Sequence, residues 1–169
     1  MKILYQGTEG AYSQLAALEV FPNAKVISCK TFEDCFKRCI DDEDLSTIIP
    51  IENSIAGRVA DIQYLMNKYK LQIFSEHFHK VSHNLMAKPG ISMNKLKFVR
   101  SHSQAISQCQ KLINEFKLEP IIAADTAGSA KFISKNSLKE EAAIASSLAA
   151  KIYNLEILKS LSLIHITEP

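Results

Sequence analysis

The sequence predicts an α/β fold. Short runs rich in β-branched residues alternate with longer segments of helical period, and polar or glycine-bearing clusters stand where the strand runs end. With 169 residues and 47% hydrophobic composition, the chain can bury a core without covalent staples and is long enough to divide into two small lobes sharing a cleft.

Ile3 to Tyr5 is the first strand, and Gly7-Thr8-Glu9-Gly10 is the turn that opens a helix from Tyr12 to Val20. Lys25 to Ser28 is strand-like. Phe32, Cys35, Phe36, Cys39 and Ile40 then fall at helical spacing behind Thr31, whose hydroxyl suits an N-cap with Asp34 three residues on. The run Asp41-Asp42-Glu43-Asp44 is a solvated loop, and a strand from Thr47 to Ile51 delivers Glu52-Asn53-Ser54 to its C-terminal end. A helix through Ile62, Leu65 and Met66 precedes a strand at Leu71 to Phe74, an extended stretch from Phe78 to Ala87 and a turn at Lys88-Pro89-Gly90. Phe98-Val99 is a strand ending at Ser101-His102-Ser103-Gln104, followed by a helix from Ala105 to Phe116. The strand Ile121 to Ala124 ends at Asp125-Thr126-Ala127-Gly128-Ser129. A helix at Ala130 to Ser134, a strand at Ala142 to Ala145 and a helix at Ser147 to Tyr153 complete the pattern.

Several functions are excluded by composition. Twenty Lys and Arg against eighteen Asp and Glu give a formal charge of +2, with the basic residues scattered rather than banded, so neither a nucleic-acid nor a membrane surface is expected. Cys29, Cys35, Cys39 and Cys109 lack C-x-x-C spacing and are expected to be reduced core thiols. The N-terminus has no signal-peptide core and no window reaches about 18 unbroken apolar residues, so a cytoplasmic, soluble protein is expected.

The polar clusters are the candidate chemistry. Thr8-x-Gly10-Ala11-Tyr12-Ser13 opens a helix after a strand, where backbone N–H groups can hold an anionic oxygen; it is neither G-x-G-x-x-G nor a Walker loop, so no nucleotide is implied. Pro50 to Val59 ends a strand in Glu52, Asn53 and Ser54 before Gly57, which aims amide and hydroxyl donors into a crevice. Alone it reads equally as a helix cap with Glu52 paired to a lysine, and the same holds at Ser101 to Gln104 and at Asp125-Thr126. Having all three in one short chain favours a site at the C-terminal ends of strands. His77, His79 and His83 share parity, but the run is not H-E-x-x-H and no carboxylate or Cys follows at ligand spacing. A satisfied or solvated histidine face is therefore expected, with no metal and no cofactor.

Taken together, Tyr5-Gln6-Gly7-x-x-Gly10-Ala11-x-Ser13, Ile49 to Val59, Ser101-His102-x-Gln104-Ala105-x-x-Gln108-Cys109, Ala124 to Ala130 and Ala142-Ala143-Ile144-Ala145-x-x-x-Ala149-Ala150-x-x-Tyr153 resemble the catalytic region of prephenate dehydratase, in the bacterial form without a fused chorismate mutase. The resemblance runs from Lys2 to about Lys159. It implies decarboxylation and dehydration of prephenate to phenylpyruvate for phenylalanine synthesis, without cofactor. It also implies two α/β lobes arranged like a type II periplasmic binding protein, with the site in the cleft between lobes. The first lobe would span about residues 1–76 plus 157–160 and the second about 77–156. Asn53, Gln104 and Thr126 are then the expected catalytic donors. Gly10, Ala11, Tyr12, Ser13, Glu52, Ser54, Ser101, His102, Ala127 and Gly128 are expected to bind substrate. A homodimer or larger homo-oligomer is implied, and no macromolecular ligand.

Three departures accompany the resemblance. The family's Asn-x-Thr-Arg-Phe motif, whose Thr is the favoured donor to the leaving hydroxyl, finds no match; nor does the phenylalanine-sensing ACT domain; and Ser103 stands where many relatives carry Pro. Residues 161–169 resemble instead the peptide LSLIHISEP, encoded when a reading frame runs into a transposase-type sequencing adapter, with Thr167 for Ser. These residues are expected to be non-native, and the chain as it stands to be inactive or nearly so. Arogenate dehydratase and a non-catalytic small-molecule binding protein of the same fold are the alternatives.

Overall fold

The first strand carries apolar residues on both faces, as a strand at the centre of a parallel sheet does. In the computed structural model, which describes residues 1–54 and 57–161, β1 (Lys2–Gln6) runs parallel to β2 (Lys25–Cys29) on one side and to β3 (Leu45–Ile48) on the other. Ile3, Leu4 and Tyr5 are almost wholly buried there, as expected for a central parallel strand. Helices α1 (Tyr12–Val20), α2 (Phe32–Asp41) and α3 (Ala60–Tyr69) pack with this sheet to form one unit, residues 1–8 and 12–79. The capping box of α2 forms as the sequence predicts: Asp34 N donates to Thr31 Oγ1 at 3.0 Å, and Thr31 N donates to Asp34 Oδ2 at 3.3 Å. Helix α3 is tied to α2 through Glu33 Oε1, which accepts from Lys68 Nζ at 2.8 Å and from Tyr69 Oη at 2.6 Å; these donors hold the Glu33 carboxyl down at about 2.

Within this unit three expectations are corrected. The third strand ends at Ile48, short of Pro50, which cannot donate to a ladder. Glu52 and Asn53 form their own two-residue strand β4, paired antiparallel with β5 (Gly57–Arg58). Residues 70–82, including the expected strand Leu71 to Phe74, carry no regular structure, and Lys70 ends α3 in the left-handed region at φ 52°. Ile73, Phe74 and Phe78 are accordingly exposed, so the apolar content that suggested a strand is not buried there.

The second unit holds residues 9–11 and, among the described residues, 80–161. Its sheet has the order β10-β6-β9-β7-β8, built from β6 (His83–Ala87), β7 (Phe98–Ser101), β8 (Glu119–Ile122), β9 (Glu141–Ala145) and β10 (Glu156–Leu161). Strands β7, β8 and β9 are mutually parallel, and β6 is antiparallel to β9. Pro120 lies in β8, an edge strand, where a missing N–H is tolerated. Helices α4 (Ser103–Gln108), α5 (Gln110–Glu115), α6 (Thr126–Lys135) and α7 (Ser147–Ile152) follow β7, β8 and β9. The single helix expected from Ala105 to Phe116 is broken at Cys109, where ψ swings to 13°.

Residues 157–160 do not return to the first unit. They lie in β10, which pairs antiparallel with β6 from Glu156 opposite Ala87 to Leu161 opposite His83, because Leu158 and Leu161 pack on the second unit's core. The expectation of a non-native tail falls on residues 161–169, of which all but Leu161 lie outside the described residues.

All four cysteines are buried and unpaired, and burial pushes the thiols of Cys35 and Cys109 up to about 12 and that of Cys39 to about 11. Among the described residues no helix is long and apolar enough to cross a membrane.

Leu85 is fully buried in β6, between β9 and β10, whereas Phe78 is 95% exposed. Leu85→Ala is expected to cost about 2–5 kcal/mol in urea unfolding, and Phe78→Ala less than about 0.5 kcal/mol.

Candidate active site

In the second unit the candidate residues gather at one edge of the sheet. Parallel β7, β8 and β9 all end there, each is followed by a helix, and each helix is capped by a side chain from the intervening loop. His102 Nδ1 accepts from Gln104 N at 3.3 Å, Asp125 Oδ1 accepts from Gly128 N at 2.5 Å, and Ser146 Oγ accepts from Ala149 N at 3.0 Å. The caps fix three helix N-termini whose first-turn N–H groups favour an anion. Gln104 is exposed in the first turn of α4, and Thr126 is half-buried as the first residue of α6.

Residues 9–11 are seated on α7 at the same edge. Ser146 Oγ donates to Gly10 O at 2.5 Å, and Tyr153 Oη donates to Glu9 O at 2.7 Å. Gly10 has φ +91°, and a Cβ on it would lie 2.7 Å from Ala149 Cα and Cβ. Only glycine satisfies both the backbone conformation and the approach. Ala11 packs against the core cluster of α6 and α7. Burial raises the Tyr153 hydroxyl above its ordinary value, with Glu9 and Asp125 adding to the shift, so it remains a donor.

The expected substrate-binding set divides here. Ser101 is wholly buried and its Oγ donates to Ile144 O at 2.7 Å, so that hydroxyl is spent within the sheet. Ala127 is wholly buried in the core, and the Gly128 N–H is taken by Asp125, whose Oδ2 would meet a Gly128 Cβ at 2.7 Å. The Ser101 hydroxyl, the Ala127 methyl and the Gly128 N–H are thus committed to the fold.

In the first unit, Asn53 is half-buried in β4 opposite Gly57, which takes φ +80°. Glu52 lies opposite Arg58 and is exposed, as is Ser54 in the turn. Tyr12 and Ser13 open α1, half-buried.

The histidines of shared parity separate. His83 Nε2 meets Gln108 Oε1 at 2.8 Å in the second unit, where burial pulls its pKa below the usual value against the opposing effect of Gln108. His77 and His79 belong to the first unit and meet Glu19. Sequence reasoning missed Ser146, although a serine three residues before Ala149 at the end of a strand is an N-cap signal. It also missed Glu19, which no local spacing marks. Two surface concavities, one formed by Lys88, Pro89, Ser134 and residues 152–155 and the other by Ser28 to Lys30, Asp34, Lys37 and Arg38, contain none of the candidate residues.

Comparison with known proteins gives a consistent result. The chain matches the family described as prephenate dehydratase over residues 3–163, which takes the match into the segment expected to be non-native. It is 37% identical over 157 residues to the bifunctional N-acyl-homoserine lactone acylase/prephenate dehydratase of Komagataeibacter europaeus, covering 93% of this chain and 56% of that protein. It is 39% identical over 164 residues to arogenate dehydratase/prephenate dehydratase 6, chloroplastic, of Arabidopsis thaliana, covering 94% of this chain and 39% of that one. The crystal structure of prephenate dehydratase from Arthrobacter aurescens in complex with L-Phe has a TM-score of 0.87 to it at 25% identity, covering 96% of this chain and 55% of that chain. The chain thus spans 39–56% of the length of these relatives.

Ser146→Ala removes a helix cap and the hydroxyl that donates to the Gly10 carbonyl, and is expected to cost about 1–3 kcal/mol by chemical denaturation. Gly10→Ala is expected to cost more and to speed proteolysis at residues 9–11, because its Cβ meets backbone. His83 has a folded pKa below its unfolded one, so its stabilising contribution is complete above about pH 6.5 and is lost as pH falls toward the folded value. Between about pH 7.5 and about pH 5 the urea midpoint of the unaltered chain should therefore fall further than that of His83→Gln.

Proposed function

The chain belongs to the prephenate dehydratase family, and from that premise we propose that it is the catalytic region of an enzyme converting prephenate to phenylpyruvate in phenylalanine synthesis. The observation that carries this reading is the match across residues 3–163, which spans every polar strand end described above.

The chemistry fits the residue types. Prephenate is a dianion whose ring becomes aromatic when the bond to its ring carboxylate breaks, the electron pair enters the ring, and the ring C–O bond breaks to release hydroxide. A hydrogen-bond donor to the departing oxygen and a site that strips water from the carboxylate suffice, and preorganised neutral donors supply both. Asn53 in the first unit and Gln104 and Thr126 in the second are the proposed donors. Ser54, the first-turn N–H groups of α4 and α6, and the segment Gly10 to Ser13 hold the carboxylates. Glu52 and His102 orient this set, His102 by capping the helix that carries Gln104. The enzyme is proposed to act in the cytoplasm as a homo-oligomer.

Arogenate, the amino analogue of prephenate, is the second reading, favoured by the plant relative whose name carries both activities. The two substrates differ only in the side-chain keto or amino group.

The test is equilibrium binding of prephenate and arogenate together with product formation, on this chain and on a fusion that carries the family's Asn-x-Thr-Arg-Phe segment. Both proteins are expected to bind prephenate. The fusion is expected to form phenylpyruvate. In it, Asn53→Ala and Gln104→Ala are each expected to lower kcat by roughly tenfold to a thousandfold. Binding without product from either protein would favour a non-catalytic binding protein of the same fold.

A further inference from the structure

Glu19, His77 and His79 meet in the first unit, and none of the three is among the residues proposed to act on the substrate. Glu19 Oε2 lies 3.0 Å from His77 Nε2 and 2.8 Å from His79 Nδ1, and the three donor atoms lie within 4.8 Å of one another. We propose that these three residues form a binding site for a divalent transition-metal ion, zinc by the character of its donors.

The donor set selects the metal class. Two imidazole nitrogens and one carboxylate oxygen match the ligands of open zinc sites, in which three protein groups leave a fourth position to water. Calcium and magnesium prefer all-oxygen shells, so they fit poorly. In a tetrahedral shell with bonds of about 2.0–2.1 Å, neighbouring donors stand about 3.3 Å apart. The observed separations from Glu19, 3.0 and 2.8 Å, are close to those of a metal shell, and the two imidazole nitrogens, within 4.8 Å of one another, must settle at about 3.3 Å to complete it. Side-chain exposures of 34% for His77, 12% for His79 and 46% for Glu19 describe a site walled on one side and open to solvent on the other. The Tyr12 ring, 6.2 Å from that of His79, provides part of the wall.

Local backbone explains how the ligands are presented. His77 and His79 are two apart in the stretch 70–82, which has no regular structure, and their ring centroids are 6.4 Å apart. Glu19 stands on α1, 58 and 60 residues earlier in the chain. A bound ion would pin an irregular segment to a helix at a point where the chain has no ladder of backbone hydrogen bonds to do so. When His79 ligates through Nδ1 its proton resides on Nε2, which is buried without a hydrogen-bond partner among the described residues. An acceptor at that position ordinarily strengthens a site by about 10- to 100-fold, so binding weaker than that of a fully supported zinc site is expected. The inference is independent of the dehydratase reading.

The experiment uses the full 169-residue chain, stripped with a chelator and titrated with Zn²⁺ by calorimetry and with Co²⁺ by visible absorption. One ion per chain is expected, with cobalt bands free of thiolate charge transfer. Glu19→Gln and His77→Ala should each weaken binding by at least about tenfold, and His83→Gln should leave it unchanged. Zn²⁺ should raise the Tm of the unaltered chain and not that of Glu19→Gln, which keeps the shape of an exposed side chain and so separates ligation from folding. No saturable binding, binding that survives both Glu19→Gln and His77→Ala, or a charge-transfer band marking the buried cysteines would overturn the proposal.

Discussion

The five residues of β9, Glu141 to Ala145, are buried on both faces between β6 and β7, and the room left for their side chains decides much of what surrounds them. Ala142 and Ile144 face one core cluster, while Ala143 and Ala145 face the other, as the two-residue period of a strand requires. On the alanine face, small residues bring the layers close: Ala127 and Ala130 of α6 and Ala149 and Ala150 of α7 pack in the same cluster. The close seating of Gly10 on Ala149 extends this packing to residues distant in sequence. Because Ser146 follows β9 directly, the strand's position fixes the cap, and the cap fixes where Gly10 can sit.

That arrangement separates polar groups that build the edge from polar groups the edge presents. Ser101, His102, Asp125 and Ser146 have their side-chain atoms committed to backbone partners within the second unit. Gln104 and Thr126 stand one or two residues beyond a cap, in helical first turns held rigid by it. The caps fix the backbone from which these two side chains project, which favours the preorganisation that electrostatic stabilisation of a transition state requires of the proposed donors. Sequence alone lists these residues side by side; only the hydrogen bonds distinguish supports from presented groups.

The alternation of strands and helices, the capping box at Thr31 and the clusters at strand ends were legible because each is a local signal. Thr31 and Asp34 need only three residues to declare a helix start, and β9 needs only five. What escaped was set by tertiary competition. Leu71 to Phe74 has strand-like content but pairs with no strand among the described residues. Residues 156–161 find a partner in β6 instead of the first unit. Cys109 interrupts a stretch of continuous helical periodicity, and periodicity does not record a single changed ψ. Glu19 illustrates the limit most clearly: no spacing along the chain marks it, yet folding places its helix beside His77 and His79 and gives both a hydrogen-bond partner.

The ionisable groups with displaced pKa values support a division between structure and reaction. Glu33, Lys68 and Tyr69 are shifted by one another where α3 meets α2, and the Cys35, Cys39 and Cys109 thiols are raised by burial. His83 is lowered by burial beside Gln108. Each shift follows from packing, and none falls on the proposed donors, which are amides and a hydroxyl that do not titrate near neutrality. A reaction driven by aromatisation of its product needs no strong base: the substrate's own carboxylate supplies the electron pair, and the protein must hold that carboxylate out of water and meet the departing oxygen. Neutral donors on capped helix ends meet this requirement without the desolvation cost of burying a charged catalyst. On this reasoning, the poverty of the candidate set in acids and bases is what the proposed chemistry calls for.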